Sequence, residues 1–286
     1  MVDVDREEWL ATVLARQVER YDTVYAPSYD DDWGALRRTH AKFVEHVVQA
    51  VPEGGVILDA ACGTGRLFPT ILAAGRRASG VDASAGMLAV AERKHPGVPL
   101  ERRRLEDLAD TNAYGAVICV DALENLPPEH WPTVLANLRR AAKPRGLVYL
   151  TVEVPDPEKL RRSTEAARAR GWPVVDGEDA VEDGYHYYPP RERVLGWLDE
   201  AVLDLVEQRD GDDYWHLLCR VRPVAAPARE REGASVRALV TGAVVAVAVG
   251  VGILLVAGSF GMAGVVGAAV LEAALIALLY RWSPSH

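Results

Sequence analysis

The stretch ILDAACGTGRL, Ile57–Leu67, runs a short apolar segment into Asp59, and then through Cys62, Gly63, Thr64 and Gly65 into a second apolar run. Two glycines spaced this way let the backbone turn sharply and let a ligand approach with no Cβ in the way. Outward from the turn, apolar runs at 55–60, 77–82, 98–102, 115–120 and 146–152 alternate with helix-like stretches near 65–74, 85–94, 129–142 and 157–170. Such alternation predicts an α/β domain with a parallel sheet covered by helices on both faces. Two further helices, 5–20 and 33–50, precede it; the second carries Leu36, Phe43, Val44, Val47 and Val48 at helical spacing and ends at Pro52, Gly54 and Gly55.

The pattern changes near the end of this region. Residues 191–200 read as a helix, and 201–208 and 214–222 as strands joined by DGDD at 210–213. That is a hairpin signal, so the last strand runs antiparallel to its neighbour. Residues 1–222 thus form the first domain, and the Pro/Ala-rich, then charged, stretch 223–237 is a linker. Two apolar stretches follow, about 238–257 and 262–280, joined by GSFG, and Glu272 is the only charged residue from Ala238 to Tyr280. Each is close to the ~20 residues that cross a bilayer core. The expectation is a two-helix membrane hairpin. Arg229, Arg231, Arg237 and Arg281 flank it, which predicts a multi-pass protein of the cell membrane with its catalytic domain and both termini cytoplasmic. Small residues at Gly242, Ala246, Gly250, Ala263 and Gly267 would let the two helices approach closely.

Charge and cysteines narrow the function classes. The chain carries a net −9, and the segment from Val236 onward is net positive, so the first domain is the acidic part. A clustered Lys/Arg surface is what phosphate neutralisation requires, so nucleic acid is not an expected partner. Cys62, Cys119 and Cys219 lie far apart and form no CxxC pair, which supports neither a disulfide framework nor a metal site. The N-terminus MVDVDREEWL has acids where a signal peptide has basic residues.

In an open parallel sheet, ligands bind beyond the carboxyl ends of the strands. Asp82 ends the second strand, 17 residues after Gly65, where an acid accepts hydrogen bonds from ribose hydroxyls. Dinucleotide sites use a glycine turn too, but their fingerprint continues GxGxxG. Phe68 stands at the third glycine's place. Asp59 ahead of the turn, moreover, suits a ligand carrying an ammonium and a sulfonium better than a pyrophosphate.

Together VILDAACGTGRL, GVDASAGMLAVAERK, AVICVDALENLPPEHW and LRRAAKPRGLVYLTVE resemble a class I S-adenosylmethionine-dependent methyltransferase, over roughly residues 20–222. The resemblance implies a Rossmann-like, seven-stranded, mostly parallel sheet with an antiparallel last strand, S-adenosyl-L-methionine as cofactor, and direct methyl transfer. It implies that Asp59, Ala60, Gly63 and Gly65 hold the methionine part and Asp82 the ribose, with Ser84 and Met87 on the adenosine side. The usual acid and small residue after the third strand fall on Arg104 and Leu105, a departure, with Glu106 and Asp107 next. Asp121 either faces the junction of cofactor and substrate or caps its strand.

A base is needed only where the acceptor must lose a proton. Glu153 and His186 are the candidates; His216, in a strand, reads as a packed histidine. The segment 155–190, with Trp172, Tyr185, Tyr187 and Tyr188, is the expected acceptor pocket. YDTVYAPSYDDDWG, 21–34, resembles the Tyr/Asp-rich segment that folds over the cofactor in many small-molecule methyltransferases, and otherwise reads as an acidic loop. The function expected is methylation of a small, lipophilic acceptor at the cytoplasmic membrane face. The alternatives are a nicotinamide-dependent oxidoreductase and a non-catalytic membrane-bound scaffold.

Overall fold

A computed structural model describes residues 5–181 and 184–223. The N-terminal part contains α1 (Arg6–Arg20), a π-helical turn Tyr21–Tyr25, α2 (Tyr29–Trp33) and α3 (Arg38–Ala50). Then come β1 (Val56–Ala60), α4 (Phe68–Ala73), β2 (Arg77–Asp82), α5 (Ala85–Lys94), β3 (Leu100–Arg102), β4 (Tyr114–Cys119), α6 (Trp131–Ala141) and β5 (Ala142–Glu153). An insert follows, made of α7 (Pro157–Ala169), β6 (Glu178–Val181) and β7 (Gly184–Tyr187). The domain closes with α8 (Arg191–Glu200), β8 (Leu203–Gly211) and β9 (Tyr214–Val221).

The main sheet has seven strands in the order β3-β2-β1-β4-β5-β9-β8, and β9 runs antiparallel to both β5 and β8. This is the seven-stranded sheet that the resemblance implies, with the antiparallel last strand that the hairpin signal predicts. β6 and β7 form a separate antiparallel pair. Alternation along each strand feeds two cores. On β1, Leu58 joins the face covered by α1, α6 and α8, while Ile57 joins the face covered by α3 and α4. The strand is buried on both sides, which is why it reads as a continuous apolar run.

Two details differ from the expectations. The helix expected over 33–50 starts only at Arg38, after α2 has ended at Trp33, and the helix expected from residue 65 starts at Phe68. The stretch between Ala61 and Leu67 is turn, because Gly63 and Gly65 adopt φ of 53° and 78°, outside the helical region. The last hairpin turns at Asp212 and Asp213, whose φ of 57° and 67° match the turn class that DGDD signals. Among the described residues no helix is long and apolar enough to cross a membrane. Both expected spans, 238–257 and 262–280, and the linker from residue 224 on lie outside the described residues.

Candidate active site

Strand order reverses at β1, which has β2 on one side and β4 on the other; their carboxyl ends open the crevice where such sheets bind ligands. Ala61 after β1 and Asp121 after β4 both take left-handed φ, 67° and 52°, a strain that residues with a Cβ rarely accept except where surrounding bonds hold them. Those bonds are present. The N–H groups of Ala61 and Cys62 donate to the Val81 carbonyl (2.8 and 3.0 Å), and the Asp121 N–H donates to Thr151 Oγ1 (2.8 Å).

Asp82 ties the two loops together. Its Oδ2 accepts from Gly63 N–H and its Oδ1 from Ser84 N–H, both at 2.8 Å. Ser84 caps α5 by accepting from Met87 N–H (3.1 Å). A cavity of about 140 Å³ lies above, lined by Gly63, Asp82, Ser84, Met87, Leu105, Glu106 and Asp121 among others. The expected adenosine-side residues therefore do meet in one place. Asp59, Ala60 and Gly65 do not line it: Asp59 is buried beneath the turn at 2% exposure, Ala60 is fully buried in the core, and Ala61 lines the cavity instead. A Cβ on Gly65 would stand 2.6 Å from the Phe68 ring, so the glycine admits Phe68. That ring, itself fully buried, packs edge-on to His95.

The Tyr/Asp-rich segment closes over this turn. Asp22 Oδ1 accepts from Ser84 Oγ (2.6 Å) and Gly86 N–H (2.9 Å), and Asp30 accepts from Thr64 Oγ1 and Lys94 Nζ, both at 2.6 Å. A Cβ on Gly86 would sit 2.4 Å from the Asp22 carbonyl, so only glycine allows so close an approach. Tyr21 and Tyr29 line the first cavity and, with Tyr25, Trp33 and Tyr214, a second one of about 410 Å³. Gln17, Tyr21, Tyr29 and Asp121 border both.

The insert contributes less than the sequence leads one to expect. Tyr185 and Tyr187 point into the main core, where Tyr185 packs against Trp9 and Tyr187 against Trp131, and Trp172 packs against Trp9. The reason is strand alternation: with 185 and 187 inward, 186 faces the other way. Among the described residues of the insert, only Gly184 and His186 line the larger cavity. The aromatic wall comes from the N-terminal segment and Tyr214. Glu153, at the end of β5, lines neither cavity, and His216 is a packed histidine bonded to Tyr149 Oη and the Gly211 carbonyl.

Carboxylates dominate the electrostatics. Burial pushes Asp59 up to about 7; Arg66 opposes the rise, and Asp82 and Asp121 add to it. Burial also raises Asp82, against the backbone N–H groups of Ser84 and Gly63, and holds Glu124 well above the usual carboxylate range, with Asp121 and Glu153 adding to that. Asp121 goes the other way: burial is outweighed by His40 (2.8 Å) and Arg66 (2.5 Å), which bring it down to about 2. Asp59 Oδ2, Glu124 Oε2 and Gln17 Oε1 are buried acceptors with no hydrogen-bond partner. Such acceptors call for donors, and a ligand with an ammonium and a sulfonium supplies positive charge to the same acidic ring.

A pH dependence follows. Between the ordinary 3.8 and about 7 the folded chain keeps a proton on Asp59 that an unfolded chain would have lost, so this group makes stability fall as pH rises through that window. A cationic ligand favours the ionised carboxylate. Affinity for S-adenosylmethionine is therefore expected to rise roughly tenfold per pH unit below about 7 and then level off. Calorimetric titration across that range checks it, and Asp59→Asn should flatten the slope; a flat wild-type profile would count against Asp59.

Three residues at the site escaped the sequence reading. Gln17 and Arg66 line the cavities, and His40 holds Asp121. For two of them a signal exists. Gln17 sits on the buried stripe Trp9, Leu10, Leu14 of α1, and His40 precedes Phe43, Val44, Val47 and Val48 on that of α3. A polar residue on an apolar stripe needs a buried partner.

This fold, with a glycine turn and an acid-ringed crevice at the strand switch, is the fold of class I S-adenosylmethionine-dependent methyltransferases. Residues 57–146 match the family model described as a methyltransferase domain. The chain is 33% identical over 123 residues to the chloroplastic magnesium protoporphyrin IX methyltransferase of Arabidopsis thaliana, covering 40% of this chain and 39% of that one. With the ubiquinone biosynthesis O-methyltransferase of Hahella chejuensis it shares 29% identity, over 56% of this chain and 68% of the relative. In fold it is similar to the Burkholderia thailandensis 1,6-didemethyltoxoflavin-N1-methyltransferase, solved with S-adenosylhomocysteine (TM-score 0.56, 17% identity, 77% of this chain and 92% of that one). The magnesium protoporphyrin IX methyltransferase of Synechocystis PCC 6803 is comparable (TM-score 0.55, 18% identity, 73% and 99%). The chain is thus a methyltransferase, with S-adenosylmethionine as its cofactor.

Proposed function

We propose that this enzyme methylates a small, lipophilic, planar acceptor bearing a hydroxyl or amine, at the cytoplasmic face of a membrane. The observation that carries the acceptor class is the larger cavity, walled by Tyr21, Tyr25, Tyr29, Trp33 and Tyr214, which meets the acid-ringed cavity at Tyr21, Tyr29 and Asp121. An aromatic wall favours a planar, apolar ligand. The names of the porphyrin and ubiquinone relatives support the same reading. For the membrane, the support is sequence alone: the apolar stretches 238–257 and 262–280 with arginines at their flanks.

S-adenosylmethionine supplies an electrophilic methyl group on a sulfonium. Asp82 would hold its ribose, the Gly63 turn its methionine part, and the surrounding carboxylates its positive charge. Tyr21 and Tyr29, borne on the strapped N-terminal segment, exclude water and fix the acceptor against the junction; alignment of this kind supplies most of the rate in a displacement. His186 takes the acceptor's proton. Burial lowers its pKa from the ordinary 6.5, which keeps the imidazole neutral at pH 7 and able to accept.

The direct test incubates the full chain with isotopically labelled S-adenosylmethionine and cell extract, and identifies labelled products by mass spectrometry. Labelled lipophilic phenols or amines support the proposal; exclusively water-soluble products refute the acceptor class. Unchanged activity toward lipophilic acceptors after deletion of 236–286 would remove the membrane from catalysis. His186→Ala is expected to lower kcat by about 10²-fold with cofactor affinity unchanged, and the wild-type acid limb should lie below 6.5. An unaltered kcat eliminates His186 as the base.

A further inference from the structure

We propose that His40, Asp212 and His216 form a binding site for a late first-row divalent cation, Zn²⁺ being the commonest of that class. The three come from α3, the β8–β9 turn and β9, and their donor atoms lie within 4.8 Å of one another. His40 and His216 are 1% and 0% exposed. His40 Nδ1 is buried with no hydrogen-bond partner and points toward Asp212 Oδ2, 4.0 Å away. Two imidazoles and a carboxylate are a donor set that such cations take readily.

The surroundings match what a ligating histidine needs, a partner that fixes its other nitrogen. His40 Nε2 is held by Asp121 Oδ1 at 2.8 Å, and His216 Nδ1 by Tyr149 Oη at 2.7 Å. Asp212 is aimed back at α3: its Oδ2 accepts from Thr39 N–H at 2.7 Å, and its carbonyl accepts from Arg37. Binding needs a small closure, because ligand distances near 2.0–2.2 Å place neighbouring donors roughly 3.3 Å apart. It also takes His216 Nε2 from the Gly211 carbonyl, now 2.9 Å away. Tyr149 Oη then accepts from Nδ1–H, a reversal open to a hydroxyl. Two neutral imidazoles and one carboxylate leave a single positive charge, which faces the Asp121 carboxylate across His40. The cation would clip α3 to the terminal hairpin and fix His40, and through it Asp121 at the cavity. Its role is positional.

The test strips the full chain with a chelator and titrates it with Co²⁺, whose visible d–d absorption reports nitrogen and oxygen ligation. One equivalent should bind, and Zn²⁺ should displace it. Asp212→Asn keeps a side-chain acceptor for Thr39 and tolerates the turn, so it should fold, as the melting temperature in chelator will show. It is expected to weaken Co²⁺ binding by about 10- to 100-fold, as is His216→Gln. His46→Gln, which removes the neighbouring exposed His46–Glu207 pair, should bind as wild type. No band at stoichiometric Co²⁺ overturns the proposal, and so does wild-type binding by Asp212→Asn or a loss confined to His46→Gln.

Discussion

Asp82→Ala is expected to lower affinity for S-adenosylhomocysteine by about 10²–10³-fold, a change of roughly 3–4 kcal/mol. Two losses combine. The ribose loses its acceptor, and the N–H groups of Gly63 and Ser84, both now bonded to this carboxylate at 2.8 Å, are left without a partner. Each unsatisfied buried donor costs about 1–3 kcal/mol. The effect therefore exceeds that of a side chain that touches only the ligand, because Asp82 shapes the glycine turn as well as facing the cavity. Asp82→Asn keeps one oxygen and should fall between wild type and alanine. Calorimetry with all three proteins, each checked by its melting curve, reads the difference; equal affinity in wild type and alanine would end the ribose assignment.

That dual role explains which parts of the site the sequence could announce. Asp82, Gly63, Ser84 and Met87 are close in sequence to two strand ends, and strand ends follow from hydrophobic periodicity such as the Ile57/Leu58 alternation. Topology then brings those ends together, and the terminal hairpin was equally legible because DGDD is local turn chemistry. Residues that meet only through packing were not legible. Arg66 reaches Asp121 at 2.5 Å and the Trp33 carbonyl at 3.1 Å, and nothing in its neighbours' identity says so. Tyr185 and Tyr187 mislead for a related reason: composition marks an aromatic segment, but the phase of a short strand decides which rings face the core. Gln17 and His40 are the instructive middle case. Each interrupts an apolar stripe, so a partner was predictable, while its identity, Asn125 for Gln17 and Asp121 for His40, required the fold.

Glu178→Ala is expected to destabilise the domain by roughly 3–5 kcal/mol, the range for removing one partner of a buried ion pair. Glu178 is 0% exposed and gathers donors from three segments. Arg6 of α1 contributes Nη2 (2.7 Å) and Nη1 (3.1 Å), the backbone contributes Val175 N–H (2.7 Å), and β7 contributes Tyr185 Oη (2.5 Å). Its own carbonyl accepts from Thr164 Oγ1 of α7 (2.8 Å). For a domain of about 200 residues each kcal/mol moves Tm by roughly 2–4 °C, so a drop on the order of 10 °C is expected. Glu178→Gln keeps one acceptor oxygen, enough for Tyr185 or for Val175 but not for both, and loses the charge that faces Arg6; it should still lose less than alanine. The consequence reaches function, because this network seats the β6–β7 hairpin against α1. That hairpin carries His186 to the larger cavity, and α1 carries Gln17 to both. Loosening the joint should therefore lower kcat more than it weakens cofactor binding, since the Asp82 turn lies outside the network. A Tm within about 1 °C of wild type would show that the apolar contacts of Trp9 and Tyr185 hold the hairpin unaided.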